Sequence, residues 1–246
     1  MCGRYSLATP SPADVRARFL IGEEVEVRRR FNVAPGDTVL AVTTDREGAP
    51  RGDLLRWGLV PSWAKTPGTG LKMINARVET VAERPAFRRS LERFRCLVIA
   101  DGFYEWQRAD GAAPKQAFHI TRAGGDAFAF AALWSIWHPR RSAPTAPSER
   151  PDSEPSETLR TCTILTRAAN SAVAPLHDRM PIILPAGGEQ AWLDPSTPRP
   201  KLGELLAGLS PADTALRPVG PAVNDARYDG PQCLASAVST GQETLF

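Results

Sequence analysis

Four polar side chains of this 246-residue chain stand among apolar or turn-forming neighbours, where a polar group is costly. Cys2 is the first, in Met-Cys-Gly-Arg. Cysteine is among the residues most often fully buried, and chain ends usually fray. Two readings follow. Cys2 is a small apolar residue opening a strand, or it is a reactive terminus. The second reading starts from size, because methionine aminopeptidases remove Met before small residues. The mature chain would then carry an amine and a thiol on one residue, with reference pKa values of about 7.7–8.0 and 8.5. Asn75 is the second, followed by Arg77 in MINARVET. Glu105 is the third, in CLVIADGFYEW. Burial among aromatic rings would raise its pKa and suit it to proton transfer, while a solvated hairpin face would leave it ordinary. His177, in PLHDRMPIIL, is the fourth. Of the three histidines, His119 falls in a strand-like run and His138 borders a loose segment, so His177 is the catalytic candidate. A structural loop histidine is the alternative.

Elements must bring these groups together. Ser11–Leu20 reads as a short helix, with Ser11 and Asp14 in capping-box positions, Pro12 in the first turn and Val15 and Phe19 four apart. Pro85–Arg95 reads as a second helix, with Phe87, Leu91 and Phe94 on one face among several arginines. Further helical patterns lie near Gly188–Leu193 and Lys201–Leu209. Strand-like runs occur at Thr38–Thr43, Leu54–Val60, Cys96–Ala100, Phe103–Gln107, Phe118–Thr121, Ala127–Trp134, Thr161–Thr166 and Ile182–Leu184. The Asp101-Gly102 turn joins two of them, and alternation puts Phe103, Glu105 and Gln107 on one face, Tyr104 and Trp106 on the other. The strands are not interleaved with long helices. The expected fold is therefore α+β, one domain over residues 1–246, with mostly antiparallel strands in a curved or barrel-like sheet and flanking helices. The segment 139–158, PRRSAPTAPSERPDSEPSET, holds almost nothing apolar and reads as a flexible insertion within that domain.

Composition excludes several classes. Apolar content is 42% and charged content 23%, within the range of ordinary globular chains. A net charge of +3 tolerates a nucleic-acid partner without demanding one. Cys2, Cys96, Cys162 and Cys233 lie far apart, with no spacing for a zinc site or a disulfide framework. No run has the length of a signal peptide or a membrane span, and a reducing cytoplasm is the expected location. No Walker loop, dinucleotide glycine pattern or G-x-S-x-G elbow competes with the four groups. No metal or other cofactor is expected.

The set of motifs, in order, resembles the SRAP family (SOS response-associated peptidase). It comprises Met-Cys-Gly-Arg, FNVAPGD at Phe31–Asp37, RWGLVPSWAK at Arg56–Lys65 and INARVETV at Ile74–Val81. It continues with CLVIADGFYEW at Cys96–Trp106, AFAALWSIW at Ala129–Trp137, CTILTRAAN at Cys162–Asn170 and HDRMPIIL at His177–Leu184. The resemblance spans Cys2 to about Asp229, and the segment 139–158 departs from it in loop length alone.

The resemblance implies a sensor of abasic sites in single-stranded DNA that attaches covalently through residue 2, in the DNA damage response. It makes Cys2 the nucleophile and Asn75, Glu105 and His177 the supporting catalytic groups. The family name also implies a peptidase, at least one that removes its own leading residue. The chemistry suits the terminus. The amine condenses with the ring-opened aldehyde, and the thiol closes on the same carbon to a thiazolidine, an intramolecular and therefore fast step. Arg4, Arg77, Arg84 and Arg88 are candidate phosphate contacts, with Arg179 behind them, and Trp63 is a candidate base-stacking platform. For Arg84 and Arg88 a solvated helix face is the equal alternative. Asn32 either caps a turn or touches DNA, and Trp57 is assigned to the core. The runner-up function is an N-terminal-nucleophile thiol peptidase acting on other proteins. A third possibility is a single-strand DNA binder with an incidental Cys2. The expected unit is a monomer, nucleoid-associated when bound to DNA.

Overall fold

The computed structural model describes residues 2–107, 115–139 and 158–237, and the segment 139–158 lies outside them apart from its two end residues. The strands are β1 (Tyr5–Leu7), β2 (Arg30–Val33), β3 (Thr38–Thr44), β4 (Pro50–Trp57), β5 (Asn75–Arg77) and β6 (Arg95–Ala100). Then come β7 (Gly102–Trp106), β8 (Ala117–Arg122), β9 (Phe128–Trp137), β10 (Leu159–Ala168), β11 (Arg179–Pro181) and β12 (Thr214–Val219). The helices are α1 (Pro12–Phe19), α2 (Pro85–Arg93), α3 (Glu189–Leu193) and α4 (Arg199–Leu205).

Strands β10, β4, β3, β6 and β9 pair in that order, and β9 pairs back to β10, closing a five-stranded barrel. A second, five-stranded antiparallel sheet runs β12-β8-β7-β1-β2. The fold is α+β, as the strand pattern implies. Most pairings are antiparallel; β4 and β5 run parallel to β10.

Alternation explains the closure. Val39, Ala41, Leu55, Trp57, Cys96, Val98, Phe130, Ala132, Cys162 and Ile164 come from all five barrel strands and form one buried cluster, the barrel interior. Their neighbours Leu40, Val42, Leu97, Ile99, Ala131 and Leu133 point the other way, against Val15 and Phe19 of α1, Phe87 of α2 and Trp192 and Leu193 of α3. The second sheet meets the interior cluster through an aromatic seam. Tyr5 packs edge-on to Trp57 at 5.4 Å and Phe130 at 5.7 Å, and Phe103 meets Phe130 at 6.4 Å. Trp57 is fully buried, as its assignment to the core requires.

Several sequence boundaries move. The run expected as a strand over Leu54–Val60 is β4 to Trp57; Gly58 then turns away at φ +130°. A Cβ at Gly58 would lie 2.8 Å from the carbonyl oxygen of Gly70, so only glycine fits both the conformation and the approach. Ile182–Leu184 is not a strand; β11 precedes it, and only Ile183 makes a bridge, to Phe130. The helix expected over Lys201–Leu209 is α4, from Arg199 to Leu205. The strands β1, β2, β5 and β12 carry no clear periodicity and escape sequence reading.

Candidate functional site

Strand β1 carries the amino terminus into the molecule. It lies between β7 and β2, with Tyr5 opposite Phe103 and Ser6 opposite Gly102. The amide of Tyr104 donates to the carbonyl of Arg4 at 2.9 Å, so the ladder continues past the named strand, and its register sets Gly3 across from Glu105. A buried network fixes the turn between β6 and β7. Asp101 accepts from Ser6 Oγ at 2.6 Å and from the amides of Ala8 and Thr9 at 2.9 and 2.6 Å. His119 Nε2 lies 2.8 Å from Ser6 Oγ. Since Ser6 gives its proton to Asp101, the histidine must donate, which makes it the Nε2–H tautomer. Burial lowers the pKa of His119 to about 4, so it stays neutral. A Cβ on Gly102 would sit 2.1 Å from that ring nitrogen, so the turn needs glycine.

Cys2 is fully buried and belongs to the same apolar cluster as the barrel interior. Burial pushes its thiol well above the usual range, and the charge of nearby Glu105 adds to the effect. Its Sγ lies 3.8 Å from the carbonyl of Arg4. Asn75 Nδ2 donates to the carbonyl of Cys2 at 2.7 Å, while Asn75 Oδ1 is buried without a hydrogen-bond partner. Asn75 comes from β5. At Gly58 the edge of β10 passes from β4 to β5, which aligns Asn75 with Ile164. That hand-over lifts Asn75 to the end of the barrel where Cys2 enters.

Glu105 is 5% exposed, and its Oε1 is also buried without a partner. It shares a face with Phe103, and Tyr104 belongs to a separate cluster on the other side of the sheet. Burial raises its pKa to about 7, and Asp178 contributes in the same direction. Both protonation states are therefore populated near neutral pH.

His177 ends the turn after β10. Its Nδ1 lies 2.9 Å from the amide of Arg179 and 3.0 Å from an Asp178 carboxylate oxygen. A neutral ring cannot serve both contacts, because the amide hydrogen is fixed and requires Nδ1 to accept. The ring proton therefore sits on Nε2, and the Asp178 contact is not a hydrogen bond in that state. Arg179 forms a two-pronged pair with Glu79, at 2.7 and 2.9 Å, and Nη2 also donates to the carbonyl of Thr166 at 2.7 Å. Sequence reasoning passed over Glu79. Glu79 lies in the turn after β5, where no strand or helix period marks it.

The remaining candidates divide. Arg77, Arg84 and Arg88 are exposed, Arg77 on β5 beside Asn75, Arg84 capping α2 and Arg88 within it. Trp63 is 55% exposed on the rim of a groove of about 300 Å³ that it shares with Pro85, Arg89 and Phe94. Arg4 and Asn32 turn inward. Arg4 Nη1 donates to Asn32 Oδ1 and to the carbonyl of Val223, both at 2.8 Å, and its guanidinium lies 5.8 Å from the Trp106 ring. Asn32 is 1% exposed, and its Nδ2 lies 2.8–3.4 Å from the carbonyls of Val223, Asp225 and Tyr228. The choice left open for Asn32 resolves to internal bracing. Among the described residues no group of three His, Cys, Asp or Glu could hold a metal ion, and no helix is long and apolar enough to cross a membrane.

A buried cysteine at position 2, clasped by an asparagine from a strand beside the barrel and close to a carboxyl whose pKa burial raises to about 7, is the arrangement this fold assembles. The family model "SOS response associated peptidase (SRAP)" matches residues 1–226, and the chain belongs to that family. It is 37% identical over 240 residues to the abasic site processing protein YoqW of Bacillus subtilis, covering 96% of this chain and all of the relative. It is 30% identical to YedK of Escherichia coli, an abasic site processing protein, over 95% of this chain and 99% of that one. It is also 34% identical to the rat abasic site processing protein HMCES, over 74% of this chain and 56% of that protein. A crystal structure of a Bacteroides thetaiotaomicron protein superposes with a TM-score of 0.80 at 22% identity, covering 96% of this chain and all of the other.

Proposed function

We propose that this protein processes abasic sites in single-stranded DNA by joining Cys2, once Met1 is removed, to the ring-opened sugar as a thiazolidine. The observation that carries the reading is the 2.7 Å bond from Asn75 Nδ2 to the Cys2 carbonyl, which fixes the Cys2 main chain beside Glu105. The relatives named above are abasic site processing proteins, which gives the substrate class.

Hydrolysis of the Met1–Cys2 bond consumes one water and frees the α-amine, and the family description favours removal by the protein itself. On the DNA, the C1′ hydroxyl loses its proton as the ring oxygen gains one, which opens the sugar to an aldehyde. The proton passes from the C1′ hydroxyl to the ring oxygen through water, and the Nε2–H of His177 donates a hydrogen bond to that oxygen as it opens. The Cys2 amine then adds to C1′, with the Glu105 carboxylate taking the ammonium proton. The resulting carboxylic acid protonates the alkoxide to give the carbinolamine, and Glu105 then carries the second nitrogen proton to the hydroxyl, which leaves as water and leaves a neutral imine. Sulfur adds to the imine carbon, and the thiol proton ends on nitrogen. The closed ring has lost one water relative to its reactants. With a pKa of about 7, Glu105 can serve as base and as acid in successive steps. The elevated thiol pKa fits an order in which the amine attacks first.

The flanking strand is held from outside. Arg77, Arg84 and Arg88 offer exposed charge to phosphates, and Trp63 offers a ring to an unpaired base.

The test is intact mass after mixing the protein with an abasic single-stranded oligonucleotide. The expected product has lost Met1 and has a mass equal to protein plus DNA minus one water, stable to heat under denaturing conditions. Cleavage of added peptides without such an adduct would favour the thiol peptidase instead. A salt-sensitive shift that heat destroys would favour a simple binder.

A further inference from the structure

Asn75 and His177 reach the site on different strands. β5 lies parallel on one edge of β10, and β11 lies antiparallel on the other. Both register at one residue, with Thr166 opposite Arg77 on one side and Pro181 on the other. No backbone bond joins β5 to β11 directly among the described residues. Side chains make the link. Glu79 stands two residues beyond β5, and Arg179 opens β11. Their two-pronged pair crosses the end of β10. The Thr166 carbonyl is the junction, accepting from the Val78 amide at 2.9 Å and from Arg179 Nη2 at 2.7 Å.

We infer that Glu79 and Arg179 are positioning residues, an ionic strap that holds the Asn75 strand and the His177 turn in fixed relation and keeps His177 in its Nε2–H tautomer. The second effect runs through the main chain, because the amide of Arg179 is the donor that occupies His177 Nδ1. This pair differs from an ordinary surface bridge. The Arg179 side chain is 11% exposed, and its Nε–H is buried without a partner, so Glu79 is the anion on which the desolvated guanidinium depends. The two parallel bonds also fix orientation, which a single contact would not. Arg179 holds the Glu79 carboxyl below its usual range, so the strap stays charged down to acid pH.

The catalytic part of this inference rests on the proposed chemistry of His177. The competing role for Glu79 is a guard, whose charge repels phosphate from Arg179. The two roles differ in sign. Loss of a guard tightens DNA and speeds the reaction; loss of a strap slows the reaction at saturation.

The experiment uses Glu79→Gln and Arg179→Lys in the full chain. The crosslinking rate is measured against the concentration of an abasic single-stranded oligonucleotide. Imidazole nitrogen NMR of DNA-free protein reads the His177 tautomer. Glu79 is about half exposed, so the variant is expected to fold, and thermal unfolding checks this. For Glu79→Gln the saturating rate should fall roughly threefold to tenfold, with half-saturation changing less than about twofold, because orientation rather than affinity is lost. The His177 nitrogens should move from the pure Nε2–H pattern towards an average of tautomers. Arg179→Lys keeps the charge and loses the fork, and should show the same tautomer change. An unchanged tautomer together with an unchanged or faster saturating rate overturns the strap. If the native protein forms no adduct, the proposed function fails, and the NMR arm still decides whether the strap exists.

Discussion

Arg4 and Asn32 are joined by a 2.8 Å hydrogen bond, two residues along from the thiol. The bond ties β1 to β2 and both to the backbone of residues 223–228. Asn32 therefore acts on the site through the backbone that carries Cys2. Asn32→Ala strips buried carbonyls of a donor and leaves Arg4 partly unpaired. Unfolding in urea should show a loss of about 2–4 kcal/mol. Crosslinking by the folded fraction should fall less than it does for Asn75→Ala, which removes the direct contact to Cys2.

Cys2→Ser keeps the amine and loses the thiol. It should form an imine with abasic DNA that borohydride traps and heat destroys. The native protein should give a heat-stable adduct without reductant. Denaturing gels with and without borohydride separate the two.

Glu105 makes a prediction about stability with a definite sign. Its folded pKa is raised from 4.5 to about 7, so the folded state favours the protonated carboxyl. Between those values the folded protein binds more protons than the unfolded chain, and stability falls as pH rises. Glu105→Gln imitates the protonated form. Its Tm should exceed that of the native protein at pH 8, and the advantage should vanish near pH 5. Crosslinking by the variant should fall by at least about tenfold, with loss of the inflection near pH 7 in the native rate profile.

Choice of strand follows from the buried position of Cys2. A sugar that reaches it has to leave the base stack, which costs little in an unpaired strand. Abasic single-stranded DNA should react much faster than the same lesion in a continuous duplex. Arg77→Gln should slow the reaction on every sequence alike and reduce the salt slope, because phosphate contacts carry no base information. Time courses at two salt concentrations measure both effects.

The segment 139–158 joins Trp137 to Leu159, which face each other in register. Its replacement by a short Gly/Ser turn should leave crosslinking within about twofold, since closure entropy grows only logarithmically with loop length. The same adduct assay decides it.

The sequence made the longer elements readable and left the shorter ones hidden, for physical reasons. β3, β6, β9 and β10 are apolar runs of six to ten residues buried on both faces, long enough to read as strands. β1, β5 and β11 have three residues each, too few for any period. Those three deliver Cys2, Asn75 and the residues after His177. Their roles were legible through the family motifs, not through pattern. Glu105 was legible from alternation beside Phe103, although its burial was not. Asn32 was ambiguous because an amide serves equally well as a turn clasp or a ligand contact. The Glu79–Arg179 pair was invisible because its partners are 100 residues apart.

The central place of β1 in its sheet has a consequence for biosynthesis. Its partner β2 is made early, but β7 begins at Gly102, so the strand that lies across from Cys2 and Gly3 is missing until roughly the first hundred residues have left the ribosome. At about 5–20 residues per second, that interval is on the order of 5–20 seconds. During it the Met1–Cys2 bond lacks the cover that β7 provides in the finished fold. Afterwards the Cys2 side chain is buried and its carbonyl is held by Asn75. Under the proposed removal of Met1, an outside aminopeptidase would race against the pairing of β1 with β7. Chains that escape it are left with the groups around Cys2 as the remaining means of exposing the amine.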